Sequence, residues 1–397
     1  MAHYAFLNND ATTGTLREEL DVLYTEMGNL TSIEEPTEED TAAIEAKQEE
    51  IDAKYQEIDN CLCVVTGVIT GVLETYEKSA RDETLEQEIK DLEDLLIRSI
   101  NSDIGLATEV SSHLVNSGGK RLRPIICILT AKAFGYSGKE LIQLASAIEL
   151  LHTATLIHDD VVDESISRRG KESIHRKWDN AHGVLVGDFV YSKAFQLMAG
   201  LKDPQIIKIL ADSTNIISEG EVLQLSLKSK ELISEDDYFE IIGRKTAELF
   251  KASSKSAAVL SEASHEEVKS AGDFAYSLGI AFQIQDDLLD YFGNEKVTGK
   301  KIGKDFLEGK ITLPLLRAIK LVSKENKKTI LKLMEKKNSS NLLQIIEIIE
   351  SSGALEEVQK TCDSYIDNCL TQLNFLPDST YKTQLMNIVM DIKVRES

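Results

Sequence analysis

Apolar residues recur at three- and four-residue spacing through most of this chain, the signature of helices with one buried face. Leu85, Ile89, Leu92, Leu95, Leu96, Ile100 and Ile104 are spaced for one such face, and the pattern stops at Gly118-Gly119. Further helices are predicted at Pro124 to Phe134 and, after the Gly135-Tyr136-Ser137-Gly138 turn, at Lys139 to Asp163. Beyond these the spacing predicts Asp179 to Leu201, Pro204 to Lys228, Ser234 to Leu260 and His265 to Phe292. The last third predicts Leu313 to Lys320, Lys324 to Lys336, Ser340 to Ser351, Gly353 to Leu373 and Asp378 to Arg395. No run alternates convincingly enough to predict a sheet. With only five prolines in 397 residues to interrupt this pattern, the expected fold is all-α.

The pattern weakens before residue 83. Residues 1–82 read as an acidic N-terminal extension, helical or partly disordered, and residues 83–397 as a separate helical domain. In the extension, Glu34 to Asp40 reads as a loop leading into a helix from Thr41 to Asn60, whose apolar stripe is thin (Ile44, Ile51, Tyr55, Ile58). Residues 1–90 carry 22 acidic and 6 basic side chains, so most of the net charge of -23 lies there. This balance argues against nucleic acid or an anionic membrane as a main partner. The longest apolar run, Cys61 to Leu73, is too short to span a bilayer. The start of the chain lacks the charge pattern of a secretory or transit peptide. Five cysteines without metal-site spacing fit a reducing cytoplasm, with Cys61-x-Cys63 read as packing in preference to a metal pair.

Two places break the apolar logic. Asp159-Asp160-x-x-Asp163 and Asp286-Asp287-x-x-Asp290 put carboxylates into stretches that otherwise read as buried helix. The first and last aspartate of each motif stand on the same helix face. Ionised carboxylates crowded on a half-buried surface are costly unless cations neutralise them. Oxygen-only donors of this kind suit Mg2+, which completes its shell from water and phosphate.

Basic residues lie where such motifs would want anion partners: Lys120, Arg121 and Arg123 before a helix start, Arg168-Arg169 just after the first motif, Lys245-Thr246 in a helix, and Lys300, Lys301, Lys304 and Lys310 after the second motif. Each alone reads at least as well as a solvated surface charge, Lys245 more so. His152 stands seven residues before Asp159, two helical turns away on the same face.

In this order and spacing, Gly118-Gly-Lys-Arg-Leu-Arg-Pro124, His152 with His158-Asp-Asp-x-x-Asp163, Arg168-Arg169-Gly170 and Phe282-Gln283-x-x-Asp286-Asp-x-x-Asp290 resemble the signature of trans-polyprenyl diphosphate synthases. Glu149 to Glu164, Glu219 to Leu225 and Gly309 to Leu315 are most similar to the bacterial octaprenyl branch. The resemblance covers residues 85–397 and implies an isoprenoid synthase-type helical bundle around a central cavity.

It also implies roles. Asp159, Asp160, Asp163, Asp286, Asp287 and Asp290 would form the catalytic acidic set, with Asp159, Asp163 and Asp286 as direct ligands of Mg2+, three ions with substrate bound. Lys120, Arg123, His152 and Arg169 would hold isopentenyl diphosphate. Arg168, Lys245, Thr246, Gln283, Lys300 and Lys310 would contact an allylic diphosphate such as farnesyl diphosphate. Lys300-Lys301 replaces the family's commoner Lys-Pro, which leaves open which of Lys300, Lys301 and Lys304 reaches phosphate. The implied reaction ionises the allylic diphosphate, lets the isopentenyl double bond attack the cation, and returns a proton to the released pyrophosphate with water excluded.

Ala154 and Thr155, one turn below Asp159, are small where the family's short-chain members resemble one another in carrying aromatic floors. A long product follows, octaprenyl (C40) for a quinone side chain, and Ala154→Phe is expected to shorten it. The resemblance further implies a homodimer in the cytoplasm. A geranylgeranyl synthase, a class I terpene cyclase and a non-catalytic subunit of a heteromeric synthase are the competing readings. An N-terminal interaction module is another, and intact acidic motifs in both halves disfavour the cyclase and the silent subunit.

Overall fold

The computed structural model describes residues 83–115, 119–168, 171–228, 230, 232–293, 302–335 and 338–394. The expected Thr41 to Asn60 helix, the Cys61 to Leu73 run, Arg169, Lys300 and Lys301 lie outside those residues.

Within residues 83–397 the pattern of predicted helices is realised almost throughout. Helices α1 (Glu83–Ser99), α2 (Gly105–Val115), α3 (Leu122–Ala133) and α4 (Glu140–Val162) lead to a short excursion. Then follow α5 (Ile174–Lys177), α6 (Asn180–Ala199) and α7 (Pro204–Leu227). Next come α8 (Glu235–Ile242), a π-helical turn (Gly243–Ala247), α9 (Glu248–Leu260) and α10 (His265–Phe292). The chain ends with α11 (Lys304–Glu308), α12 (Leu313–Leu321), α13 (Lys324–Met334), α14 (Ser339–Ser351), α15 (Ala354–Gln372), a 3-10 turn (Leu373–Phe375) and α16 (Thr380–Val394).

Local chemistry explains most of the boundaries. Ser234 with Asp237 and Ser264 with Glu267 form reciprocal capping boxes at the starts of α8 and α10. Asp203 caps α7 with Pro204 in its first turn.

Three expectations need correcting. The Leu85 pattern does not run unbroken to residue 118: the Ser102 backbone N–H donates to Thr108 Oγ1 at 2.9 Å and Ser102 Oγ accepts from the Ile104 N–H at 3.1 Å. These bonds satisfy the chain in a turn and separate α1 from α2. The expectation of no sheet misses a minimal antiparallel pair, β1 (Ser167–Arg168) on β2 (Lys171–Glu172), with Ser167 opposite Glu172. Two residues per strand are too few to carry an alternating signal. The predicted Ser234 to Leu260 helix is continuous but carries a π turn at Gly243–Ala247. Such insertions leave no trace in apolar spacing and often mark functional sites.

Helices α4, α9 and α10 form the centre. Leu144, Ile148 and Leu151 of α4, Phe250 of α9 and Phe274, Leu278 and Ile284 of α10 lie in one main core. Helix α4 is apolar on nearly every face. It is the only helix among the described residues long and apolar enough to cross a membrane, but 67% of that stretch is buried inside the fold. The burial makes it a core helix. Close approach fixes its upper end against α6: a β-carbon on Gly183 would come within 2.5 Å of Val161 Cγ2, and one on Gly187 would overlap the His158 ring. His158 accordingly lies along α6, with Nε2 3.2 Å from the Val184 carbonyl and 3.5 Å from Asp188. A second core, including Tyr291, Phe306, Leu315, Ile330 and Ile345, joins the end of α10 to α11–α14.

Candidate active site

Both acidic motifs occupy the C-terminal ends of long helices. Asp163 is the C-cap of α4, and Asp290 lies two residues before the end of α10. A helix C-terminus carries partial negative charge, so carboxylates there are doubly disfavoured and the demand for cations rises.

Protein cations meet part of that demand. In the first motif Asp160 is buried and accepts from Arg168 Nε and Nη2, each at 2.8 Å. Asp163 pairs with Lys310 Nζ at 2.9 Å. Burial pushes the Asp159 carboxyl above the ordinary range despite the nearby charges of Lys245, Arg168 and Lys310. For Asp163 burial acts in the same direction, but Lys310, with Lys245 and Lys228, outweighs it and holds that carboxyl below its usual value.

Lys310 also links the two motifs. Its ammonium lies 2.8 Å from Glu308 and 3.9 Å from Asp305 as well as beside Asp163. The Asp305 N–H in turn donates to Asp290 Oδ2 at 3.0 Å, and the Lys304 N–H to Asp290 Oδ1 at 3.1 Å. Asp290 thus caps α11, a single turn flanked by Gly303 and Gly309 in the left-handed region at φ 70° and 81°. The acidic ends of α4 and α10 therefore share one site.

The remaining predicted residues fall into two contact groups. Lys245 Nζ, on the π turn, pairs with Glu221 of α7 at 2.7 Å and bonds Gln224 Oε1. Thr246 Oγ1 donates to Gln283 Oε1 at 2.8 Å, Gln283 Nε2 to Asp287 Oδ1 at 2.8 Å, and Tyr238 OH to Asp287 Oδ2 at 2.6 Å. Asp287 is therefore engaged inward, at 2% exposure, and ties the π turn to the second motif. Asp286, next to it, is only partly buried. Lys304 is surface-lying and pairs with Glu308 at 3.4 Å. Arg123 approaches His152 Nε2 at 3.3 Å and stacks on the Phe250 ring at 4.4 Å, while Lys120 is exposed. Arg121 is turned away from both, into the protein.

The donor set fits a hard divalent cation. No three carboxylate, imidazole or thiolate groups among the described residues gather tightly enough to cage an ion alone. An ion there would draw most of its ligands from water and substrate oxygens, the habit of Mg2+. The excess negative charge points the same way. Burial and the neighbouring Asp159 push Glu221 up to about 7, and burial with repulsion from Asp305 does the same for Asp290.

Comparison with known proteins identifies the arrangement. Residues 105–350 match the polyprenyl synthetase family. The octaprenyl diphosphate synthase of Escherichia coli is 38% identical over 308 residues, 77% of this chain and 95% of the relative. An all-trans-nonaprenyl-diphosphate synthase (geranyl-diphosphate specific) of Rhodobacter capsulatus is 41% identical over 76% of this chain and 93% of its own length. The crystal structure of a Caulobacter crescentus polyprenyl synthase, complexed with calcium and isoprenyl diphosphate, superposes with a TM-score of 0.76 at 35% identity, covering 80% of this chain and 98% of that one. The chain belongs to the polyprenyl synthetase family. It is a long-chain trans-prenyl diphosphate synthase, a prenyltransferase, and the family binds divalent metal.

Sequence reasoning missed several residues of this synthase's site. Glu221 and Gln224 lie in a stretch singled out only for its resemblance, and Tyr238, Asp305 and Glu308 carried no signal at all. Glu221 carried no sign beyond its place in that stretch, three residues before Gln224 on α7.

The raised carboxyls have a pH consequence in the metal-free synthase. The folded state holds the Glu221 and Asp290 protons more tightly than the unfolded chain, whose carboxyls ionise near pH ~4. Their contribution to stability is full below about pH 4, falls as pH rises, and is lost above about pH 7. Scanning calorimetry of the metal-free protein between these limits is expected to show a falling Tm that added Mg2+ restores, and Glu221→Gln is expected to flatten the fall. An equally steep fall in Glu221→Gln would remove Glu221 from this account.

Proposed function

We propose that this synthase extends an allylic diphosphate, farnesyl diphosphate or a close analogue, with isopentenyl diphosphate units to octaprenyl diphosphate (C40) for a quinone side chain. The observation that carries the reading is the joining of two acidic helix ends through Lys310, with basic side chains on both flanks. The similarity to octaprenyl diphosphate synthases supports the length, and the small Ala154 and Thr155 agree with it.

In this reading Asp159, Asp163 and Asp286 would hold Mg2+ at the allylic diphosphate, and Asp160, Asp287 and Asp290 steady the two motifs through Arg168, Tyr238 with Gln283, and α11. Mg2+, when bound, supplies Lewis-acid stabilisation of the departing pyrophosphate. Arg168, Lys245 and Lys310 bring positive charge to the same leaving group, and Thr246 and Gln283 orient it. Lys300 would join them, and Arg169 would join Lys120, Arg123 and His152 around isopentenyl diphosphate. Arg123, fixed over Phe250, offers a guanidinium shaped for bidentate contact with phosphate. The apolar walls of α4 and α9 exclude water from the cation.

Residues 83–397 form the catalytic domain in this reading and 1–82 a separate extension. A homodimer is supported by large apolar side chains left in solvent on α6 (Leu185 at 66%, Phe195 at 41%) and α7 (Val222 at 67%). A cytoplasmic setting is supported by the free, buried Cys127, Cys362 and Cys369.

The test is one incubation of the full chain with radiolabelled isopentenyl diphosphate, farnesyl diphosphate and Mg2+, followed by chain-length analysis. A dominant C40 product is expected. Products that stop at geranylgeranyl length would overturn the assigned length, and absence of any elongation would overturn the activity.

A further inference from the structure

Arg121 stands between two residues assigned to isopentenyl diphosphate, yet its side chain points the other way. It is 6% exposed. Nε donates to Glu93 Oε1 at 2.7 Å and Nη2 to Glu93 Oε2 at 3.1 Å, a bidentate pair with α1. Nη1 donates to Glu149 Oε1 of α4 at 2.7 Å, and Nη2 also to the Val115 carbonyl at the end of α2 at 2.9 Å. One guanidinium thereby fastens three helices to the loop that opens α3, and only a planar fork with several fixed donors can do so.

The backbone makes the anchor necessary. Arg121 is the N-cap of α3 and adopts φ 46°, ψ 34°, the left-handed region. A residue with a β-carbon is disfavoured there, so the conformation persists only where surrounding contacts hold it. That conformation leaves Lys120 exposed at the helix start and puts Arg123 beside His152. Glu149 matters twice, because it lies three residues before His152 on α4 and so shares its face. The bond that holds Arg121 also ties the loop to the helical turn carrying His152.

We propose that Arg121, gripped by Glu93 and Glu149, is a positioning residue for isopentenyl diphosphate that holds Lys120, Arg123 and His152 in register. Glu93 lies outside the 105–350 stretch that matches the family. Helix α1 is therefore part of the substrate site's support as well as of the core. The inference rests on the assignment of Lys120, Arg123 and His152 to isopentenyl diphosphate.

Steady-state kinetics of the full chain, varying each substrate separately, test it. Arg121→Gln is expected to raise KM for isopentenyl diphosphate by about tenfold while KM for the allylic substrate stays within about twofold. Arg121→Lys is expected to recover only part of the loss, because one ammonium cannot bridge two carboxylates and a carbonyl. Glu93→Gln, at a partly exposed position, shifts the same KM in the same direction by a few-fold and carries the test if Arg121→Gln fails to fold. A lowered Tm with both KM values unchanged, or changed in parallel, in Glu93→Gln and any folded Arg121 variant would reduce the contact to fold stability and overturn the proposal. Lys120→Ala separates the premise: an unchanged KM for isopentenyl diphosphate there sinks the site assignment itself. A raised KM in Lys120→Ala with none in the Arg121 and Glu93 variants sinks only the positioning role.

Discussion

Asp159→Ala is expected to lower kcat by on the order of a thousandfold at saturating Mg2+, roughly 4 kcal/mol of transition-state stabilisation. The size follows from where each carboxylate spends its charge. Asp160 is committed to Arg168 and Asp163 shares Lys310, whereas Asp159 is desolvated with its cations acting through space. Its charge is costly to keep without a paired cation, and expensive charge is retained where a bound ligand uses it. The same logic gives the sign of the stability change. A carboxyl whose proton affinity is raised by burial destabilises the folded protein when ionised, so Asp159→Ala is expected to leave the metal-free Tm unchanged or higher near pH 8. Lost turnover with undiminished stability separates a functional carboxylate from a structural one. Asp286→Ala is expected to behave alike, since its side chain is only partly buried beside the inward-facing Asp287. Near-wild-type turnover in either variant would remove that residue from the metal site.

Asp287 shows where sequence reasoning stops. Within Asp-Asp-x-x-Asp the three aspartates look equivalent, and helical spacing distinguishes them only by angle. The difference lies in Tyr238, 49 residues away, whose hydroxyl meets the Asp287 carboxylate inside the protein. Arg121 teaches the same lesson: in Lys-Arg-Leu-Arg the three cations look alike, and Glu93 and Glu149, each 28 residues from it, decide which one is structural. What was legible was local. Helical faces followed from the spacing of Leu and Ile, helix stops from turns such as Gly135 to Gly138, and the acidic motifs from their conflict with an apolar setting. Long-range partners, the π turn that carries Lys245 and Thr246, and the single turn capped by Asp290 have no short-range signature to read.

The structure also divides the pair expected to set product length. Thr155 and Ala154 lie roughly 6 and 7.5 Å below Asp159 along α4, a little over one turn. Ala154 is wholly buried in the main core, whereas Thr155 is partly exposed and bonds its hydroxyl back to the His152 carbonyl at 2.7 Å. A phenyl ring at 154 has to displace close-packed neighbours, at a cost of about 1–3 kcal/mol, before it can obstruct anything. A ring at 155 enters less crowded space on the face nearer the acidic motif. Thr155→Phe is therefore expected to shift the product distribution from C40 towards short chains with the stability of the fold preserved, as read by chromatography of the dephosphorylated products and by thermal melting. Ala154→Phe is expected to shorten the product as well, but with a Tm lowered by several degrees. The chemistry of each addition should be nearly untouched in Thr155→Phe, because the diphosphate-binding groups sit a turn above, so the rate of the first condensation stays close to wild type while later ones fail. An unchanged C40 product in Thr155→Phe would place the floor of the chain-elongation space elsewhere than on this turn of α4.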